Sequence, residues 1–135
     1  MKRAPMIAIL DDDEGVRTSL SSLVRSLGHD VCTYASAAAF LADAGAGAGD
    51  PDCLITDMQM PGMTGAQLLD ALVVNARRFP VIVMTAFPSD AVRERVLAAG
   101  ALAYLVKPMD GPTVARCIAA ALDGGDPAAD PYTLV

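Results

Sequence analysis

Short apolar runs, each ending abruptly on a polar residue able to do chemistry, constrain this chain most. Met6–Leu10 stops at Asp11, residues 53–56 stop at Asp57, residues 81–84 stop at Thr85, and Ala103–Val106 stops at Lys107. Runs of four or five residues are too short for helices and match strands covered on both faces. A weaker run, Asp30–Tyr34, predicts a further strand near a sheet edge.

The segments between the runs carry helical spacing. Val16, Leu20, Leu23, Val24 and Leu27 form one apolar stripe, stopped by Gly28. Ser36 is placed to cap a short helix over residues 37–44. Residues 45–51, rich in Gly and Ala, read as a flexible loop. After a turn at Met60, Pro61 and Gly62, Thr64 and Gln67 form a capping-box pair. The helix they open presents Leu68, Leu69, Leu72 and Val73. Ser89 caps a helix bearing Val92, Val96 and Leu97, stopped by Gly100. Pro112 suits a first helical residue, and Val114, Ile118, Ala121 and Leu122 line the face that follows. Five strand–helix units in succession predict an α/β, doubly wound parallel sheet with helices on both faces. One domain over residues 1–123 is expected, with 124–135 a flexible tail or linker stub.

Bulk properties narrow the function. The chain has 135 residues, 53% of them hydrophobic and 19% charged, which suits one globular domain and argues against disorder. The net charge of −6 and the lack of a Lys/Arg run argue against direct nucleic-acid binding. The apolar stretch before Asp11 is too short for a signal peptide or a membrane span, so no membrane association and a cytoplasmic location are expected. Cys32, Cys53 and Cys117 have no metal or disulfide spacing and read as small hydrophobes in a reducing compartment. His29, the sole histidine, is expected to be exposed in a turn, which leaves no Ser-His or Cys-His arrangement. The glycines within residues 45–49 follow no strand and open no helix, so no nucleotide-binding fingerprint is supported.

In parallel α/β sheets, ligands bind beyond the carboxyl ends of the strands. There this chain places Asp11, Asp12 and Asp13, then Asp57, Thr85 and Lys107. Taken singly, each has a plainer explanation: acids cap helices, Asp favours turns, Thr suits strand ends, and lysines are usually solvated. Taken together they describe a phosphoryl site. Carboxylates from two strands repel, and Mg²⁺ resolves the repulsion by taking carboxylate, carbonyl and phosphate oxygens. Asp57 is then a nucleophile able to form an aspartyl phosphate. Lys107 and Thr85 would stabilise the phosphoryl oxygens.

These residues resemble the receiver (CheY-like) domain of the two-component response regulator family. The resemblance spans about residues 6–122. It rests on Asp11-Asp12, on the segment from Asp57 through Met60-Pro61-Gly62 to Gly65, on Met84-Thr85-Ala86, on Ala98-Ala99-Gly100-Ala101 and on Lys107-Pro108. It implies a flavodoxin-like (βα)5 fold with strand order 2-1-3-4-5 and a cis Lys107-Pro108 peptide. Asp57 would be the phosphoacceptor. Asp12 would bind Mg²⁺ directly, Asp11 would help through water, and the Gln59 backbone carbonyl would be a further ligand. Thr85 and Lys107 would hold the phosphoryl group. Thr85 and Tyr104 would form the switch, with Tyr104 rotating into space that Thr85 vacates. Tyr104 reads equally well as a half-buried strand residue.

The implied partners are a sensor histidine kinase or phosphotransfer protein and a downstream effector or target. The output surface would be the fourth helix, fifth strand and fifth helix, where a homodimer is also open. Such a chain is a signalling phosphoacceptor that catalyses only its own phosphorylation and dephosphorylation. Met109 departs from a common Phe, and the large Phe87 flanks, with Gln59, the path of an attacking water. Phe87 is expected to slow hydrolysis by crowding that path. Two other classes stay open: a haloacid-dehalogenase-type phosphatase with Asp11 as nucleophile and Asp13 as acid, and a pseudo-receiver that docks without phosphorylation. The first lacks a later paired-acid motif; the intact Asp12, Asp57, Thr85 and Lys107 argue against the second.

Overall fold

The computed structural model describes residues 4–43, 50–75 and 79–123. Five strands and five helices alternate: β1 (Met6–Leu10), α1 (Glu14–Ser26), β2 (Asp30–Tyr34), α2 (Ala37–Asp43), β3 (Cys53–Asp57), α3 (Gly65–Val74), β4 (Val81–Thr85), α4 (Asp90–Ala98), β5 (Ala103–Val106) and α5 (Gly111–Asp123). The strands form one parallel sheet in the order β2-β1-β3-β4-β5.

Alternation within each strand divides the apolar residues between two faces, because successive side chains point oppositely. Ala8, Leu10, Leu54, Val81, Val83 and Tyr104 pack under α2, α3 and α4 with Phe40, Leu68, Leu72 and Val96. Ile7, Ile9, Ile55, Ile82, Met84 and Leu105 pack under α1 and α5 with Leu20, Val24, Val114 and Ile118. Strand order explains the division for α1 to α4. The chain steps from β1 outward to β2 through α1, then returns past β1 to β3 and continues the other way. Right-handed crossovers put helices from opposite directions of travel on opposite faces.

The expected caps form. The Ser36 hydroxyl accepts from Ala39 N at 3.1 Å. Thr64 and Gln67 make both capping-box bonds, at 3.1 and 2.9 Å. Ser89 Oγ accepts from Val92 N at 3.4 Å. Gly28 and Gly100 end α1 and α4 with φ of +93° and +108°, values that side-chain-bearing residues rarely adopt. The Lys107-Pro108 peptide is cis.

Several details differ from the expectation. Val73 is 65% exposed, because each residue advances about 100° and the last turn carries it off the stripe of Leu68, Leu69 and Leu72. Leu27 is the C-cap of α1, not part of its inner face, and is exposed. Helix α5 begins at Gly111, before Pro112, because Asp110 caps it by accepting from Thr113 N at 2.7 Å. His29 is half-buried, and among the described residues its buried Nδ1 has no hydrogen-bond partner. Cys53 and Cys117 are buried and Cys32 half-buried, all as free thiols. Burial pushes the Cys53 thiol up to about 12, so it is inert at neutral pH. Residues 44–49 and 124–135, which carry most of the expected loop and all of the expected tail, lie outside the described residues.

Candidate functional site

The sheet register brings the strand ends into one rim. Leu10 pairs with Thr56, Asp57 with Met84, and Thr85 with Val106. Asp11 and Lys107 continue from β1 and β5, and Lys107 N donates to Thr85 O at 2.8 Å. The rim lies where the strand order reverses, between β1 and β3.

The three consecutive acids have three fates. Asp11 is fully buried: Oδ1 accepts from Asp13 N and Oδ2 from Lys107 Nζ, both at 2.8 Å. Asp12 is exposed. Asp13 turns away to cap α1, accepting from Val16 N at 3.1 Å. The helix-cap explanation therefore applies to Asp13, while Asp11 and Asp12 face the rim.

Asp57 is 4% exposed. Its Oδ1 is buried and ion-paired to Lys107 Nζ at 3.3 Å. Burial, then the charge of Asp11, pushes its carboxyl above the usual carboxylate range, and Lys107 and a Gln59 backbone contact only partly offset this. Burial works to lower the Lys107 ammonium, but its bond to Asp11 and the charges of Asp57 and Asp11 outweigh it, leaving lysine above its ordinary value. Lys107 is thus firmly cationic between two carboxylates.

One carboxylate oxygen from each of Asp11, Asp12 and Asp57 lies within 4.8 Å of the others. An all-oxygen, anionic set of three carboxylates suits a hard divalent cation of the Mg²⁺ kind. Both Asp11 oxygens are already engaged, so Asp12 and Asp57 are the freer ligands. Gln59, two residues past Asp57, is exposed on the same rim.

Thr85 is fully buried. Its hydroxyl donates to Gln59 Oε1 at 2.8 Å and accepts from Phe87 N at 3.0 Å. Tyr104 is 1% exposed rather than half-buried, and its hydroxyl accepts from Ser89 N at 3.2 Å. The connection from β4 to α4 is therefore hung on two side-chain hydroxyls. Sequence reasoning missed both contacts and the Gln59 side chain. They depend on how two loops fold over the rim, and no spacing encodes that. A groove of about 680 Å³ opens beside the rim between α1 and the β5–α5 connection, lined by Val16, Leu20, Leu23, Pro108 and Met109.

Residues 7–119 match the family described as the response regulator receiver domain. This chain belongs to the response regulator receiver family. The receiver is 38% identical over 116 residues to the transcriptional regulatory protein FixJ of Azorhizobium caulinodans, covering 86% of this chain and 54% of that protein. It is 37% identical over 120 residues to the response regulator protein TodT of Pseudomonas putida, covering 89% and 52%. It spans about half the length of the curated relatives it matches. Among solved structures, it superposes on FixJ-N with a TM-score of 0.81 at 31% identity, covering 90% of this chain and 96% of that one. It also superposes on the chemotaxis protein CheY4 of Vibrio cholerae with a TM-score of 0.80 at 27% identity, covering 89% and 100%. Phosphorylation of an aspartate and Mg²⁺ binding at an acidic pocket are general features of this family. Among the described residues no helix of the receiver is long and apolar enough to cross a membrane.

Proposed function

We propose that Asp57 accepts a phosphoryl group from a histidine kinase, a phosphotransfer protein or a small phosphodonor. The observation that carries this reading is the Lys107 ammonium, 2.8 Å from Asp11 Oδ2 and 3.3 Å from Asp57 Oδ1. A charge already stands where phosphoryl oxygens would arrive, and it is paired to the Asp57 carboxylate itself. Asp57 attacks phosphorus, and the bond to the donor's leaving group breaks with that group keeping the electron pair. Lys107 and the Thr85 hydroxyl take the phosphoryl oxygens. Asp12, Asp57 and the Gln59 backbone carbonyl would hold Mg²⁺, with Asp11 assisting, and the ion would neutralise charge on the transferring group.

Thr85 and Tyr104 form the switch pair in this reading. Tyr104 is buried beneath α4, and its hydroxyl accepts from Ser89 N. A shift of the Thr85 hydroxyl acts on Phe87 N, and Tyr104 holds Ser89 N at the cap of α4. The surface of α4, β5 and α5 then changes, and an effector, a target protein or a second copy reads it. The apolar groove beside the rim suits the helix of a phosphodonor. Residues 1–123 form the receiver domain, and the cytoplasm is its place of action. The chain turns over no other substrate.

Incubation with Mg²⁺ and acetyl phosphate followed by intact-mass measurement tests this. One added phosphoryl group, absent in Asp57→Asn, supports the proposal. Steady release of phosphate from phosphate esters would make the chain a phosphatase. No mass change would make it a docking module.

A further inference from the structure

We infer that the Gln59 side chain is a latch on the switch hydroxyl, holding Thr85 in its resting position until a phosphoryl oxygen displaces it. The inference rests on Asp57 being the phosphoacceptor.

A threonine hydroxyl has one proton to donate. Phe87 N–H already points at Thr85 Oγ1 from 3.0 Å, so the hydroxyl proton is directed elsewhere. It goes to Gln59 Oε1 at 2.8 Å, a short, well-made bond. Thr85 is fully buried, so no bulk water competes for that proton. A phosphoryl oxygen on Asp57 can receive it only if Gln59 gives it up. Gln59 is exposed and stands two residues beyond Asp57, so its side chain is free to swing away.

Tyr104 makes this exchange the deciding step. Its ring is already buried among Val83, Val96 and Ala101, and its hydroxyl is already bonded to Ser89 N. The tyrosine half of the switch pair is thus held in place by its burial and this bond. What remains is the transfer of one hydrogen bond from Gln59 to the phosphoryl group. Gln59 is a positioning residue: it acts through Thr85 and sets how readily the rim closes on its ligand.

Beryllofluoride with Mg²⁺, titrated by amide NMR, is the probe. Gln59→Met keeps the length of the side chain and its backbone carbonyl but removes the acceptor. It is expected to bind beryllofluoride about fivefold more tightly than the wild type, equivalent to ~1 kcal/mol. Its free-state Phe87 amide signal should also lie nearer the wild type's bound position. The gain should persist in a Thr85→Ser background and vanish in Thr85→Val. Equal or weaker binding by Gln59→Met, or an undiminished gain with Thr85→Val, overturns the latch while leaving Asp57 in place. If the wild type neither binds beryllofluoride nor takes a phosphoryl group, the Asp57 reading falls, and the latch falls with it.

Discussion

At the rim, the protein keeps three acids close and pairs two of them with one lysine. Asp57 has a carboxyl raised first by burial and then by Asp11. The folded chain therefore holds that proton more tightly than the unfolded chain does. The associated stability is fully present below the unfolded value, about 3.9, and is lost as pH rises through the raised folded value. In metal-free buffer at neutral pH, Asp57→Asn should thus stabilise the fold, by on the order of 1 kcal/mol. The gain should shrink as the pH falls toward the ordinary carboxylate range. Urea unfolding of both proteins across that range checks the sign; a gain that grows on acidification would contradict it. Phe87 is 72% exposed beside the same rim. Phe87→Ala should shorten the lifetime of the aspartyl phosphate by opening the path of water. An unchanged lifetime, followed by mass, would remove Phe87 from the control of hydrolysis. The rim positions of Asp11, Asp57, Thr85 and Lys107 were legible because each ends a strand or directly follows one, with Asp12 one residue further on, and strands are readable from apolar runs. Gln59's side-chain contact was not, because a bond between two loops leaves no periodic trace.

At the level of elements, the segment after β3 couples packing to chemistry. Gly65 opens α3 directly against the back of Asp57. A Cβ there would meet Asp57 O at 2.9 Å and Met58 Cα at 3.2 Å, and both are backbone atoms that cannot swing aside. Gly65→Ala should therefore destabilise the fold and slow phosphorylation together, since relief requires moving the Asp57 segment. Thr64→Ala offers the contrast. It removes a cap accepting from Gln67 N at 3.1 Å and should cost about 1 kcal/mol. Phosphorylation by acetyl phosphate should change far less than in Gly65→Ala. Thermal unfolding and phosphorylation rates on both variants separate the two effects. The capping box was legible because its two residues sit at a fixed offset. The Asp110 cap was missed because Pro112 drew attention to a later start. The exposed end of α3 was missed because apolar spacing alone does not say where a helix outruns the sheet beneath it.

At the scale of the whole molecule, Mg²⁺ should stabilise the folded state by binding it and not the unfolded chain. The melting temperature of the wild type should rise with Mg²⁺ concentration, and that of Asp12→Ala much less. Equal rises would move the ion elsewhere. The doubly wound class was legible because five apolar runs alternate with five amphipathic stretches, whereas the strand order came from the resemblance to the receiver family. The assignment of helices to faces followed only from the strand order. That assignment has a further consequence. The sheet separates two apolar clusters, one beneath α1 and α5 and one beneath α2, α3 and α4. Paired core substitutions on opposite sides should behave independently, whereas pairs on one side should interact. The groove beside α1 and the outward side of α4 are therefore separately editable. If the proposed roles of these surfaces hold, a designer could rewrite which donor the protein hears without rewriting whom it answers.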